Sequence, residues 1–312
     1  MNRLLTRRRF GQVAIAGTTL AGLAYLGADK TLAKSPTKNL FGVLADVETG
    51  TIKIQSVNIP DLKSLNLLDL SSKNVLNLQV LDETKNFIKT ILQLDNDLEE
   101  FTGLSSFNGE LNLSSSSIGK ETGTDKKGRK KQKQNKLKTI GKSNSNTLTI
   151  TGLGQDEKIR SVEALDKDSL VAIVAKSSVF GSSRIVKISR SKGNLISTGF
   201  PLPQTHNFST LTQCPDGTIY ASSNDPTGYT NLVQIDLAAQ KVTKLVQLNF
   251  QNEVWKNGLA GLACSPTGEL IALAAPRYVA INNLYKVDIK TGALTLLFEG
   301  FNANKIAFLS VK

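Results

Sequence analysis

Two kinds of β-hairpin alternate along this chain of 312 residues, and their spacing restricts the fold more than any other feature. In the first kind an apolar segment runs into a turn and a second apolar segment leaves it, as in Gln213-Cys-Pro-Asp-Gly217-Thr-Ile-Tyr-Ala221 and Ala263-Cys-Ser-Pro-Thr-Gly268-Glu-Leu-Ile-Ala272. Its copies turn at Gly50, Gly109, Asp168, Gly217 and Gly268. The second kind reads Leu284-Tyr-Lys-Val-Asp-Ile-Lys-Thr-Gly292, with copies turning at Asn74, Asn146, Asn194, Lys241 and Gly292. Tight hairpin turns demand positive φ, which Gly, Asn and Asp adopt at least cost. From first turn to second the steps are 24, 37, 26, 24 and 24 residues, and from second to the next first they are 35, 22, 23 and 27. The two long steps mark insertions: a lysine-rich stretch in the 37, and Asp82 to Leu94, an extra strand or short helix, in the 35. Without them the period is close to constant.

Two hairpins make a four-stranded meander, which alone cannot bury both faces. Packed radially against copies of itself it can. Segments such as Leu232-Val-Gln-Ile-Asp-Leu237 carry apolar residues on both faces, as such packing requires. Over about residues 40–312 the pattern x-Pro-x-Gly-x-Leu/Ile, then Leu-x-x-Val/Ile-Asp-x-x-Thr-Gly, resembles the β-propeller superfamily in its WD40-like or YVTN-like manner, without the Trp-Asp signature. The expected fold is therefore all-β, a propeller of four-stranded antiparallel blades, five or six in number, over residues 38–312; a β-sandwich or an open solenoid is the alternative. The final Asn304-Lys-Ile-Ala-Phe-Leu-Ser310 reads as a lone strand that would close the ring between the chain ends.

The N-terminus, Thr6-Arg7-Arg8-Arg9-Phe10, resembles a twin-arginine export signal, with Arg7, Arg8 and Phe10 at its marked positions. Val13 to Ala28 is an apolar stretch too short and too rich in Gly and Thr for a good membrane span. Small residues end it, so cleavage is expected after Ala33, with Ala28 as second candidate. Gly11-Gln12 departs from the usual pattern. The resemblance implies the twin-arginine translocase as a partner. It implies delivery to the periplasm or an equivalent compartment such as a thylakoid lumen, or anchoring if residues 1–33 are retained. It also implies folding before export, in a reducing cytosol. Cys214 and Cys264 are accordingly expected as thiols. They are read as equivalent positions of adjacent repeats, farther apart than the ~7 Å between Cα atoms that a bridge allows.

The net charge of +12 is uneven. Residues 1–33 carry +4, and residues 120–139 carry nine basic side chains against Glu121 and Asp125. The remainder is near neutral. The insertion at about 116–135, with Lys126, Lys127, Arg129, Lys130, Lys131 and Lys133, has no apolar residue between Ile118 and Leu137 and is expected to be disordered. It is either a solvated loop or a docking element for an anionic surface. No aromatics are interleaved for base stacking, and nucleic acid is not an expected partner.

One histidine, His206, and two cysteines exclude a four-ligand His/Cys zinc site. His206 lies in a Pro-Gln-Thr-His-Asn loop without a catalytic motif around it. Asp46, Glu48, Asp166, Asp168, Asp216 and Glu269 stand at turns, where carboxylates cap backbone amides. No catalytic residues are assigned and no cofactor is evident. The leading expectation is an exported, non-enzymatic binding or scaffold module for a protein or glycan. The alternative is a hydrolase or lactonase with a divalent metal in the central channel. Three or more Asp, Glu or Asn side chains converging on the axis would favour the metal enzyme, and a lining of Ser, Thr and aliphatics would oppose it.

Overall fold

The computed structural model describes residues 39–46, 51–58, 99–117 and 135–308, except for 109, 141–144, 155, 177–181, 277, 278, 280 and 302. The signal residues Arg7, Arg8, Phe10 and Ala33 lie outside them. So do the basic side chains Lys126, Lys127, Arg129, Lys130, Lys131 and Lys133, and the insertion from Asp82 to Leu94.

The chain opens with β1 (Asn39–Asp46) and β2 (Thr51–Asn58). Four antiparallel sheets follow. The first holds β3 (Glu99–Phe107), β4 (Glu110–Ser117), β5 (Asn135–Ile140) and β6 (Ser145–Thr149). The second holds β7 (Glu157–Ala164), β8 (Ser169–Lys176), β9 (Ser183–Ser189) and β10 (Leu195–Pro201). The third holds β11 (Asn207–Gln213), β12 (Ile219–Asn224), β13 (Thr230–Asp236) and β14 (Lys241–Gln247). A two-stranded hairpin, β15 (Asn249–Phe250) with β16 (Glu253–Val254), precedes the last. That sheet holds β17 (Gly261–Cys264), β18 (Leu270–Ala274), β19 (Asn283–Val287) and β20 (Leu294–Phe298). Each runs in sequence order, as a meander does.

A fifth sheet unites the two ends of the described chain. β21 (Lys305–Phe308) pairs antiparallel with β1, in the register Leu40↔Phe308 to Val43↔Lys305, giving the order β2-β1-β21. The terminal strand thus closes the ring, as its sequence led one to expect. The closure also changes the place of the first hairpin within its sheet. β21 supplies the innermost strand of this sheet, so the hairpin at residue 50 joins its second and third strands, whereas in the other sheets the equivalent turn type joins first and second. Among the described residues the propeller comprises four four-stranded blades and this closing sheet.

Successive innermost strands β3, β7, β11, β17 and β21 are neighbours around the ring, and β21 adjoins β3 again. The cores lie between sheets. In β8, Leu170, Ala172 and Val174 face the first sheet, while Val171 and Ile173 face the third. In β18, Leu270, Ala272 and Ala274 face the third sheet and Ile271 and Leu273 the closing one. A strand buried on both faces must be apolar throughout, which explains why Ser169-Leu-Val-Ala-Ile-Val-Ala175 shows no alternation. At the turns Gly217 and Gly268 hold φ of 85° and 83°. Asp216 accepts from Thr218 N at 2.9 Å, and Asp166 accepts from Asp168 N and Ser169 N at 2.8 and 2.7 Å, so these carboxylates cap turns as expected. The second hairpin type falls where Gly292 and Asn194 were placed. Asn146 instead lies inside β6, and Lys241 is the first residue of β14 rather than a turn.

Candidate functional site

The innermost strands all run in one direction, and their C-terminal ends meet around a cavity of about 250 Å³. Ser106 and Phe107 come from β3, Glu163 and Ala164 from β7, Thr212 and Gln213 from β11, Leu262 to Cys264 from β17, and Ile306 to Phe308 from β21. Pro215, Ser265 and Pro266 add the turns beyond. The lining is thus hydroxyl, amide and apolar, with one carboxyl.

That carboxyl is Glu163. Register equates it with Thr212 and Ala263, since the three pair with Val171, Tyr220 and Ile271 at the same distance from their turns. Burial pushes its pKa well above the ordinary carboxylate range. The amides of Ala164 and Gln213 and the Thr212 hydroxyl donate to it and offset part of that rise. Thr212 is itself fixed, because its Oγ1 accepts from Cys264 N at 3.2 Å. A carboxyl in this setting favours the neutral acid, which can both donate and accept.

Cys214 and Cys264 form a disulfide, their Cα atoms 5.1 Å apart, and the expectation of two thiols is overturned. Two features of the sequence were misread. Equivalent points of adjacent blades are far apart on outer strands but close on the innermost ones, where the wedge-shaped blades converge. And the two cysteines are not equivalent: Cys214 N bonds Thr218 O, as Ser265 N bonds Glu269 O, whereas Cys264 pairs with Leu270 as Gln213 does with Ile219. One step along a strand reverses the side chain. Cys264 therefore faces back toward β11, and Cys214 faces forward toward β17. The bridge and its flanking prolines form part of the cavity wall.

On the same end of the ring Arg190 ties the first two blades. It donates to Glu110 Oε2 at 2.8 Å, Asn112 Oδ1 at 3.1 Å and Lys167 O at 3.1 Å, and lies 5.2 Å from the Phe107 ring centroid. His206 bonds Thr205 Oγ1 at 2.9 Å in its loop and faces no catalytic partner among the described residues.

A channel metal requires several converging oxygens. Among the described residues no three His, Cys, Asp or Glu side chains lie close enough to hold one. Glu163 is the one carboxyl of the lining and its oxygens are engaged by Ala164, Gln213 and Thr212, so the described residues do not supply that donor set and no metal step follows from this site. The sequence signal for Glu163 was its charge at a position where two other repeats carry Thr212 and Ala263. Read singly, it resembled any polar strand residue.

No protein-family model and no curated protein matches the chain. Solved structures similar to it include a protein of unknown function from Bacteroides caccae, 12% identical over 88% of this chain and 99% of that one, with a TM-score of 0.41. An oligogalacturonate lyase in complex with manganese is 11% identical over 66% of this chain, which spans about half (56%) of the lyase, at TM-score 0.40. The calcium-binding protein regucalcin from Agrobacterium tumefaciens is 11% identical over 69% of this chain and 80% of its own, at TM-score 0.41. Likenesses at this level carry no statement about activity.

Proposed function

We propose that this chain is an exported, non-enzymatic binding propeller whose channel cavity receives an uncharged, hydrogen-bonding group of a glycan or protein. The observation that carries this reading is the cavity lining: Ser106, Thr212, Gln213 and Ser265 beside Phe107, Pro215 and Pro266, with Glu163 held toward its neutral form. Its volume lies just below the ~300–1,000 Å³ of small-molecule sites, so it takes one ring or one chain end. The rival, a metal-dependent hydrolase or lactonase, needs oxygens that the described channel residues do not bring together. Calorimetric titration of the chain from residue 34 onward with cello-, xylo- and malto-oligosaccharides and uncharged peptides tests the proposal. A binding member should lose at least tenfold affinity in Glu163→Leu. Ester or lactone hydrolysis that needs Ca²⁺ or Mn²⁺ and disappears in Glu163→Gln would establish the rival instead.

Export is part of the same proposal. A disulfide persists in oxidising compartments, so the Cys214–Cys264 bridge fits an exported chain whose two cysteines cross as thiols by the twin-arginine route and join after passage. Replacing Arg7 and Arg8 together by Lys should stop accumulation of the mature chain outside the cytoplasm. Unimpaired export would remove the twin-arginine route. The basic insertion is proposed to dock an anionic surface, and ~0.5 M salt should release that contact by screening.

A further inference from the structure

The opposite end of the ring carries a second recess that the proposed function does not use. It is a cleft of about 410 Å³ lined by Tyr229, Phe250, Glu253, Val254, Trp255, Lys256, Asn257 and Pro276. These residues belong to the β12–β13 loop, the β14–β17 connection and the segment after β18, all at the end where the innermost strands begin. The β15–β16 hairpin, an insertion into the repeat, forms one cleft wall. Insertions on one face of a repeat protein commonly mark its binding face.

The wall is built in advance. Phe250, Trp255 and Tyr285 pack edge to face, with centroids 5.4 to 6.3 Å apart. Trp255 Nε1 donates to Gly258 O at 2.9 Å, and Gly258 N donates to Thr230 Oγ1 at 3.0 Å. Trp255 is buried beneath, while Tyr229 and Phe250 keep exposed surface. At the rim Lys256 is exposed. Its ammonium pairs with no carboxylate among the described residues and rests 5.0 Å from the Tyr229 ring centroid. Asn257 spends its Nδ2 on Ala275 O at 3.2 Å and leaves its carbonyl oxygen to accept. Glu253, also exposed, offers a second acceptor.

We propose that this cleft binds a carboxylated sugar ring of an acidic polysaccharide, the ring lying against Tyr229 and Phe250 and its carboxylate pairing with Lys256. Aromatic faces suit the C–H faces of a sugar ring, and the acceptors of Asn257 and Glu253 suit its hydroxyls. An ammonium held by an aromatic face alone exchanges that contact for an ion pair at little loss.

The test is calorimetric titration of the chain from residue 34 onward with alginate oligosaccharides at low salt, with dextran as the neutral polymer. Alginate should bind and dextran should not. Lys256→Gln, an exposed change that leaves the fold intact, should weaken alginate at least tenfold, and Tyr229→Ala should do the same while Tyr229→Phe keeps binding. Glu163→Gln and Thr212→Val, at the other end, should leave alginate affinity unchanged, so failure here is separate from failure of the channel proposal. Absence of alginate binding, equal binding of dextran, or wild-type affinity in Lys256→Gln would overturn the proposal. Binding of phosphatidylglycerol vesicles in place of alginate would overturn it in favour of a membrane.

Discussion

At one end of the ring the innermost strands run straight into short turns, and the space between them is closed by a disulfide, two prolines and a single carboxyl held toward neutrality. At the other end the connections are long. They hold an extra hairpin, and their aromatic cleft has at its rim an ammonium that no carboxylate among the described residues pairs. The repeat itself dictates the first end, because every turn there is one that each blade must make. The second end is free of that demand, since a loop can lengthen without disturbing the sheets. Rigidity and neutrality therefore collect at one end, and charge and variation at the other.

The sharpest way to break this contrast is to remove the bridge. Cys214 and Cys264 are 50 residues apart, and closing a loop of that size restricts the unfolded chain by about 4 kcal/mol in the chain-entropy account. Cys214→Ser with Cys264→Ser should lower Tm by roughly 10 °C. Scanning calorimetry with and without reductant checks it: reductant should reproduce the loss in the parent chain and do nothing to the variant. An unchanged Tm would mean that this end is no more fixed than the other. Next in size is Arg190→Ala. The Arg190 side chain is only 8% exposed, and its loss removes the link between two blades and leaves the Asn112 carbonyl with the Thr139 hydroxyl at 3.3 Å as its donor. The cost should be about 2 kcal/mol, held down because Glu110 is half exposed, as read from denaturant midpoints. Smallest is deletion of Glu121 to Gln134. Loop length costs only ~0.6 kcal/mol per doubling, so Tm should stay within a few degrees while binding to anionic probes falls. A large loss of stability would place the lysines in the fold.

How far the sequence could be read follows the same division. The turns at Gly217, Gly268 and Gly292 and the lone strand at Lys305–Phe308 were legible, because turn chemistry and a regular period are local properties. The ring that they imply was legible with them. The role of β1 and β2 was not: their hairpin imitates the first–second turn of other blades, and only the pairing of β1 with β21 shows that it joins second to third. The bridge was missed through an offset of one residue. Cys214 stands three residues before its glycine and Cys264 four, which turns their side chains toward each other. Glu163 and the Trp255 cleft arise where separate blades and loops meet, and no local pattern announces such meetings.

The central claim is that the channel end is held neutral around Glu163, and infrared difference spectroscopy between the parent chain and Glu163→Gln tests it most directly. Folded-state burial raises this group above its unfolded value of about 4.3, so its contribution to stability is complete below that pH and is lost as pH rises through the folded value. Glu163→Gln removes that loss, and its stability relative to the parent should grow as pH rises above about 4.3. In the spectra, a protonated-carboxyl stretch should persist in the parent chain at pH values where ordinary carboxyls have ionised, and be absent from Glu163→Gln. A carboxyl that ionises in the ordinary range, with identical pH–stability curves for the two chains, would contradict the account.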